Sequence, residues 1–305
     1  MILAVALAFA TPARRADPAP TLDAVLQEGW STASANSRWR SPTEVRRSGV
    51  IAGADELFRA IQQGCTERAL RRAEATLGAV GWRWSVHTLV GEAPVITVHD
   101  LQGGGYFAWR CGGASDVLVQ APHSFFDLDT ADLARTMFVD RQVRGVMWNT
   151  VHRYRATPDE QPEDALHPAD VAHQPASLYQ TWTLAATKAW PSLRVVQLHG
   201  FAGGASVGDV ILSSGIEGVT PLAAAARLTG RLGPLEDGAF AAVQVFGVDT
   251  DLLGATTNAQ ARALAGGAGE SFLHVELSRD VRAWLRADAA RADAFLDVVL
   301  EGPWR

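Results

Sequence analysis

The sequence is short of cysteine, with two in 305 residues. That excludes a disulfide-built scaffold and a multi-cysteine zinc finger. It lacks an excess of basic charge. Lys+Arg 27 against Asp+Glu 33 gives a formal net charge of −6, which argues against nucleic acid and against a polybasic membrane contact. No run of about 20 apolar residues occurs, so no integral membrane span is expected. There is no Walker loop, no Rossmann glycine fingerprint and no internal repeat. The composition that remains, 48% hydrophobic and 20% charged, is that of a folded globular chain. Its length fits one or two domains at roughly 150 residues each. Eight histidines and 33 carboxylates are the stock from which metal or acid–base chemistry must be drawn.

The first residues, MILAVALAFATPA, are apolar and end in small side chains. Ala8-Phe9-Ala10 and Thr11-Pro12-Ala13 fit signal-peptidase sites, without the usual basic n-region. Residues 1–13 therefore read as a signal peptide or as what is left of one, and export to the periplasm or the medium is the expectation. Residues 14–50, rich in Ala, Pro, Ser and Arg, read as a loosely ordered lead-in. Residues 51–305 then form a single α/β domain. Cys65 and Cys111 can pair if the protein is exported; two buried free thiols are the alternative.

Apolar positions at helical spacing predict an amphipathic helix over 54–78. Short β-type runs follow at 82–89, 94–99, 106–111 and 117–121. Glycine turns separate the first three as an antiparallel meander. Beyond Pro122 strands and helices alternate. Helices are expected at 130–140, 177–190, 220–231 and 257–265, with a long last helix at 279–300. Strands are expected at 145–148, 193–198, 209–213, 241–246 and 272–277. The pattern predicts an α/β fold with a mixed, largely parallel twisted sheet flanked by helices, of phosphorylase or hydrolase type, with an N-terminal helical extension.

Ligands of open α/β sheets bind beyond the carboxyl ends of the strands. The strand ends here carry His123, Asp127 and Asp129; Asn149, His152 and Arg153; His199; and Glu276 with Arg279. Taken singly, a strand-end histidine is more often a hydrogen-bonded structural residue, and Asp129 could simply cap a helix. Together, two histidines and a carboxylate with an open position make a catalytic zinc site. On this reading His123, Asp127 and His199 are the metal ligands, with Asp129 as alternative to Asp127. Glu276 is the general base and Arg153 the oxyanion partner.

The segments APHSFFD, NTVHR, VVQLHG and HVELSRDVR, in that order over roughly residues 115–300, resemble the zinc carboxypeptidase and N-formylglutamate amidohydrolase superfamily. The resemblance implies His123 and His199 as zinc ligands and Glu276 as the base, and it places Asn149 and Arg153 in the substrate-carboxylate or oxyanion group. Carboxypeptidases use His-x-x-Glu where this chain has His-x-x-x-Asp. The implied activity is zinc-dependent hydrolysis of an amide in a short peptide or N-acyl amino acid, whose carboxylate Arg153 or Arg279 would bind. His173 is a further candidate for the cleft. A non-catalytic relative that binds a ligand or partner in the same cleft is the alternative. Gly204-Ala205-Ser206-Val207-Gly208 matches the nucleophile elbow of serine hydrolases but lacks the preceding strand and following helix that the elbow requires.

Overall fold

The computed structural model describes residues 20–89, 91–156, 167–203, 208–235, 242–265 and 271–305. The leader segment and most of the Gly204–Gly208 motif lie outside the described residues. Three helices come first: α1 (Leu22–Asn36), α2 (Glu44–Gln62) and α3 (Glu67–Ala79). Strands β1 (Arg83–His87), β2 (Val95–Asp100), β3 (Gly105–Arg110) and β4 (Ser115–Ala121) follow. Then come α4 (Thr130–Asp140), β5 (Val143–Trp148), α5 (Leu178–Ala189), β6 (Arg194–Phe201) and β7 (Val210–Ser213). The chain closes with α6 (Leu222–Leu232), β8 (Val243–Val245), α7 (Ala259–Leu264), β9 (Phe272–Ser278), α8 (Arg279–Arg286) and α9 (Ala289–Leu300).

The strands form one sheet in the order β1-β2-β3-β5-β4-β6-β9-β7-β8. The central β5, β4, β6 and β9 run parallel. The expected meander β1-β2-β3 adds antiparallel strands on one side, and β7 joins β9 antiparallel on the other. From β4 the chain crosses to β5 on one flank, and the next crossover returns to β6 on the opposite flank. The strand order therefore reverses beside β4, the position where open α/β sheets bind ligands.

Side chains alternate across each strand, and both faces of the sheet are covered. Val117, Val119, Val196, Leu198, Leu273 and Val275 face one core, packed by α1, α4, α6, α8 and α9. Leu118, Val195 and Phe272 face the other, packed by α2, α3 and α5. On this second face an aromatic cluster fills the meander side: Phe58, Phe107, Trp109 and Trp182, with ring centroids 4.7 to 6.2 Å apart.

Three expectations are corrected. The lead-in is not loosely ordered where it is described. Thr21 caps α1 by accepting from the Ala24 N–H at 3.2 Å, and Leu22, Leu26 and Ala33 are buried. The small and polar residues between those anchors obscured the helical stripe. The helix expected at 54–78 is two helices and starts ten residues earlier, capped by Thr43. Gly64 and Cys65 break it with φ of 78° and 56°, the left-handed geometry that ends helices. The long last helix is likewise two, because the Asp288 side chain accepts from the Arg291 N–H at 3.1 Å and starts α9 afresh. Cys65 and Cys111 form a disulfide, which ties the α2–α3 turn to the end of β3.

Candidate metal centre

Along the second face, each of three central strands changes character at the same level. Leu118 gives way to Gln120, Val195 to Gln197 and His199, and Phe272 to His274 and Glu276. The register aligns these changes, pairing Gln120 with Gln197, Gln197 with His274, and His199 with Glu276. All five polar side chains are buried.

His123 and Asp127 come from the turn after β4. The Asp127 N–H donates to the His123 carbonyl at 2.8 Å, so the four-residue spacing is one helical turn and stacks the two side chains. This is how the longer His-x-x-x-Asp spacing delivers its carboxylate. Asp127 Oδ2 lies 3.3 Å from His123 Nδ1 and 3.2 Å from His199 Nδ1. The three residues are buried and their donor atoms converge closely enough to hold one metal ion. Tetrahedral zinc with bonds of about 2.0–2.2 Å spaces its donors about 3.4 Å apart, close to both distances. Charge-assisted hydrogen bonds are shorter, about 2.7–2.9 Å.

The far side of His123 is held as well. Its Nε2 lies 2.8 Å from Asp170 Oδ1, and Asp170 also binds the Arg153 guanidinium. Arg153 Nη1 lies 3.2 Å from His123 Nδ1. An ionised carboxylate can only accept, so His123 carries a proton on Nε2, facing Asp170. Carboxylates in this position orient metal-bound histidines. Sequence reasoning missed Asp170. Its signal was Asp-x-x-His ahead of a helix, since His173 Nδ1 lies 3.1 Å from Asp170 Oδ1.

The charges respond to this packing. Burial alone would favour neutral groups, but hydrogen bonds to Asp127 and Asp170 raise the His123 pKa. Against burial, His123 and His199 hold Asp127 well below the carboxylate range. His123, His173 and Arg153 do the same for Asp170. His199 is lowered to about 4, chiefly by burial, and His274 is lowered far below 6.5 by burial and by neighbouring His199. Burial and the Asp127 charge push Glu276 up to about 8. Its Oε2 is buried without a hydrogen-bond partner.

The remaining sequence candidates are placed differently. Asp129 turns its carboxylate to Arg286 at the surface and caps no helix with its side chain. Asp127, not Asp129, is the carboxylate beside the histidines. The Asn149 amide is spent on backbone, accepting from Val151 N–H at 3.2 Å and donating to the Ala169 carbonyl at 3.5 Å. His173 stands behind His123, against Asp170. Arg279 is exposed at the start of α8, whereas Arg282, one turn on, is buried and feels the charges of Asp127 and Glu276. Two further groups, His123–Asp170–His173 and His199–His274–Glu276, have donor spacing that could suit a metal. They share His123 and His199 with the first triplet.

No family model matches the sequence, and no curated protein matches it. Among solved structures the chain is similar to the N-formylglutamate amidohydrolase from Ralstonia eutropha JMP134, at 12% identity over 63% of this chain and 96% of that one, with a TM-score of 0.37. It is also similar to a protein assigned as a carboxypeptidase A from Shewanella denitrificans OS-217, at 10% identity over 72% of this chain and 64% of that one, with a TM-score of 0.35. At these values the likeness adds no weight to the side-chain geometry.

Proposed function

We propose that the protein is a zinc-dependent hydrolase that cleaves an amide bond in an N-acyl amino acid or short peptide. The observation that carries this reading is the convergence of His123 Nδ1, His199 Nδ1 and one Asp127 oxygen, spaced at 3.3 and 3.2 Å about that oxygen. Two nitrogens and one oxygen on a short, buried triplet suit zinc with a fourth position left for water or substrate.

A zinc ion held by these residues supplies Lewis-acid polarisation of the scissile carbonyl and acidifies water. Glu276 takes a proton from the attacking water on its unpartnered Oε2 and returns it to the leaving nitrogen. Arg153, fixed by Asp170, offers its guanidinium to the carbonyl oxygen or to the substrate carboxylate. Export is part of the reading, supported by the Cys65–Cys111 disulfide, because such bonds persist in oxidising compartments.

The test is metal content followed by activity. The purified protein should carry about one zinc per chain, and His123→Ala or His199→Ala should remove it. Hydrolysis of a panel of N-acyl amino acids and dipeptides should stop with chelator and return with zinc. A wild-type protein that cannot be loaded with metal would overturn the proposal.

A further inference from the structure

The second zinc-facing histidine has no carboxylate behind it. His199 Nε2 instead meets the Gln197 side-chain oxygen at 2.8 Å, and Gln197 is fully buried. An amide can be turned either way, so its direction must be read from its partners. Here three independent chains of hydrogen bonds fix it, each ending on backbone.

The first chain starts at the Val171 carbonyl, which accepts from Gln260 Nε2 at 3.1 Å. That makes the Gln260 side-chain oxygen an acceptor, and it receives Gln197 Nε2 at 3.1 Å. The second starts at the Tyr179 carbonyl, which takes the Thr183 hydroxyl proton at 3.0 Å. The Thr183 oxygen then accepts from Gln120 Nε2 at 2.7 Å, and the Gln120 oxygen accepts from Gln197 Nε2 at 2.8 Å. Both N–H groups of Gln197 are thereby used. The third starts at the first turn of α7, where Asn258 Oδ1 accepts from the Gln260 and Ala261 N–H groups at 2.9 and 3.0 Å. That leaves Asn258 Nδ2 as a donor, and it points at Gln197 Oε1. By all three routes Gln197 Oε1 is an acceptor.

We infer that this buried amide relay is a positioning device: Gln197, locked by Gln120, Gln260 and Asn258, forces the His199 proton onto Nε2 and turns a bare Nδ1 lone pair towards the metal centre. Neutral imidazole carries one proton, so a donor at Nε2 leaves Nδ1 as a ligand. That lone pair faces the Asp127 carboxylate at 3.2 Å, a contact that calls for a cation between them. Burying side-chain amides costs stability unless they find partners, and no amide nitrogen or oxygen of these four residues is buried without one. The inference rests on the metal-centre reading for its purpose, but not for its hydrogen-bond polarity.

The tautomer is measurable by 15N NMR of histidine-labelled full-length protein stripped of metal, with the His199 signal assigned by its loss in His199→Gln. The wild-type chain should show His199 as the Nε2–H form. In Gln197→Met the Nδ1–H form should gain population, and the zinc Kd, read by competition with a chromophoric chelator, should rise by about 10–100-fold, the usual cost of removing the partner behind a ligand. An Nδ1–H His199 in the wild type, or an unchanged tautomer in Gln197→Met, overturns the relay. If that variant does not fold, the wild-type spectrum decides alone. An Nε2–H His199 in a protein that binds no zinc would uphold the relay and overturn the metal-centre reading.

Discussion

The second face of the sheet is built in two ways. On the meander side it is apolar and aromatic, with Phe58, Trp109 and Trp182 packed ring against ring. At the carboxyl ends of β4, β6 and β9 the same face is polar, carrying Gln120, Gln197, His199, His274 and Glu276. One half contributes burial, which depends on volume and tolerates approximate geometry. The other contributes direction, because each hydrogen bond specifies a donor and an acceptor. The two halves should therefore fail differently when they are altered.

The largest expected effect separates chemistry from stability. Glu276→Gln keeps shape and removes the proposed base, so hydrolysis of a responsive amide should fall by about two orders of magnitude or more. Bound zinc should stay in place, read as metal per chain. Turnover unchanged in that variant would move the base elsewhere. On the aromatic side, Phe58→Ala should lower unfolding free energy by about 3–5 kcal/mol and leave the zinc Kd unaltered, measured by denaturant titration and chelator competition. Equal damage to both quantities would erase the distinction between the halves.

Next is the disulfide. Cys65→Ser with Cys111→Ser opens a link that spans 46 residues, and should cost about 2–4 kcal/mol, again without moving the metal affinity. The smallest effect is one of pH. Glu276 has its carboxyl raised from 4.5 to about 8 in the fold. The unfolded chain releases that proton first, so Glu276 lowers the stability of chelator-treated protein as pH rises through this window. Above about 8 the loss is complete. Glu276→Gln should flatten that part of the stability profile by up to one proton's worth of slope.

Much of this was legible in the sequence. The alternation beyond Pro122 predicts the crossovers, and the strand-end rule picks out His123, Asp127, His199 and Glu276 without knowledge of the sheet order. The structure brings those four together. What was not legible falls into two kinds. Asp170 reaches His123 from a loop 47 residues away, a contact no local period encodes. Gln197 was within reach of the rule already in use, since it shares a face with His199 two residues on. A buried glutamine in an apolar strand was the missing signal. Arg279 lies close to Glu276 in sequence but not in the interior: as the first residue of α8 it is exposed, whereas Arg282, one turn later, is buried.

The start of α7 and the 167–173 loop are also fastened to each other. Ala259 N–H donates to the Ala172 carbonyl at 2.7 Å, and Gln260 reaches Val171. The loop bears Asp170, which holds His123, while α7 bears Gln260, which holds Gln197 and through it His199. The two histidines therefore share one mechanical support. A shift of that seam would misalign both histidines together, so a variant in the seam should behave as a hinge fault and not as the loss of a single side chain.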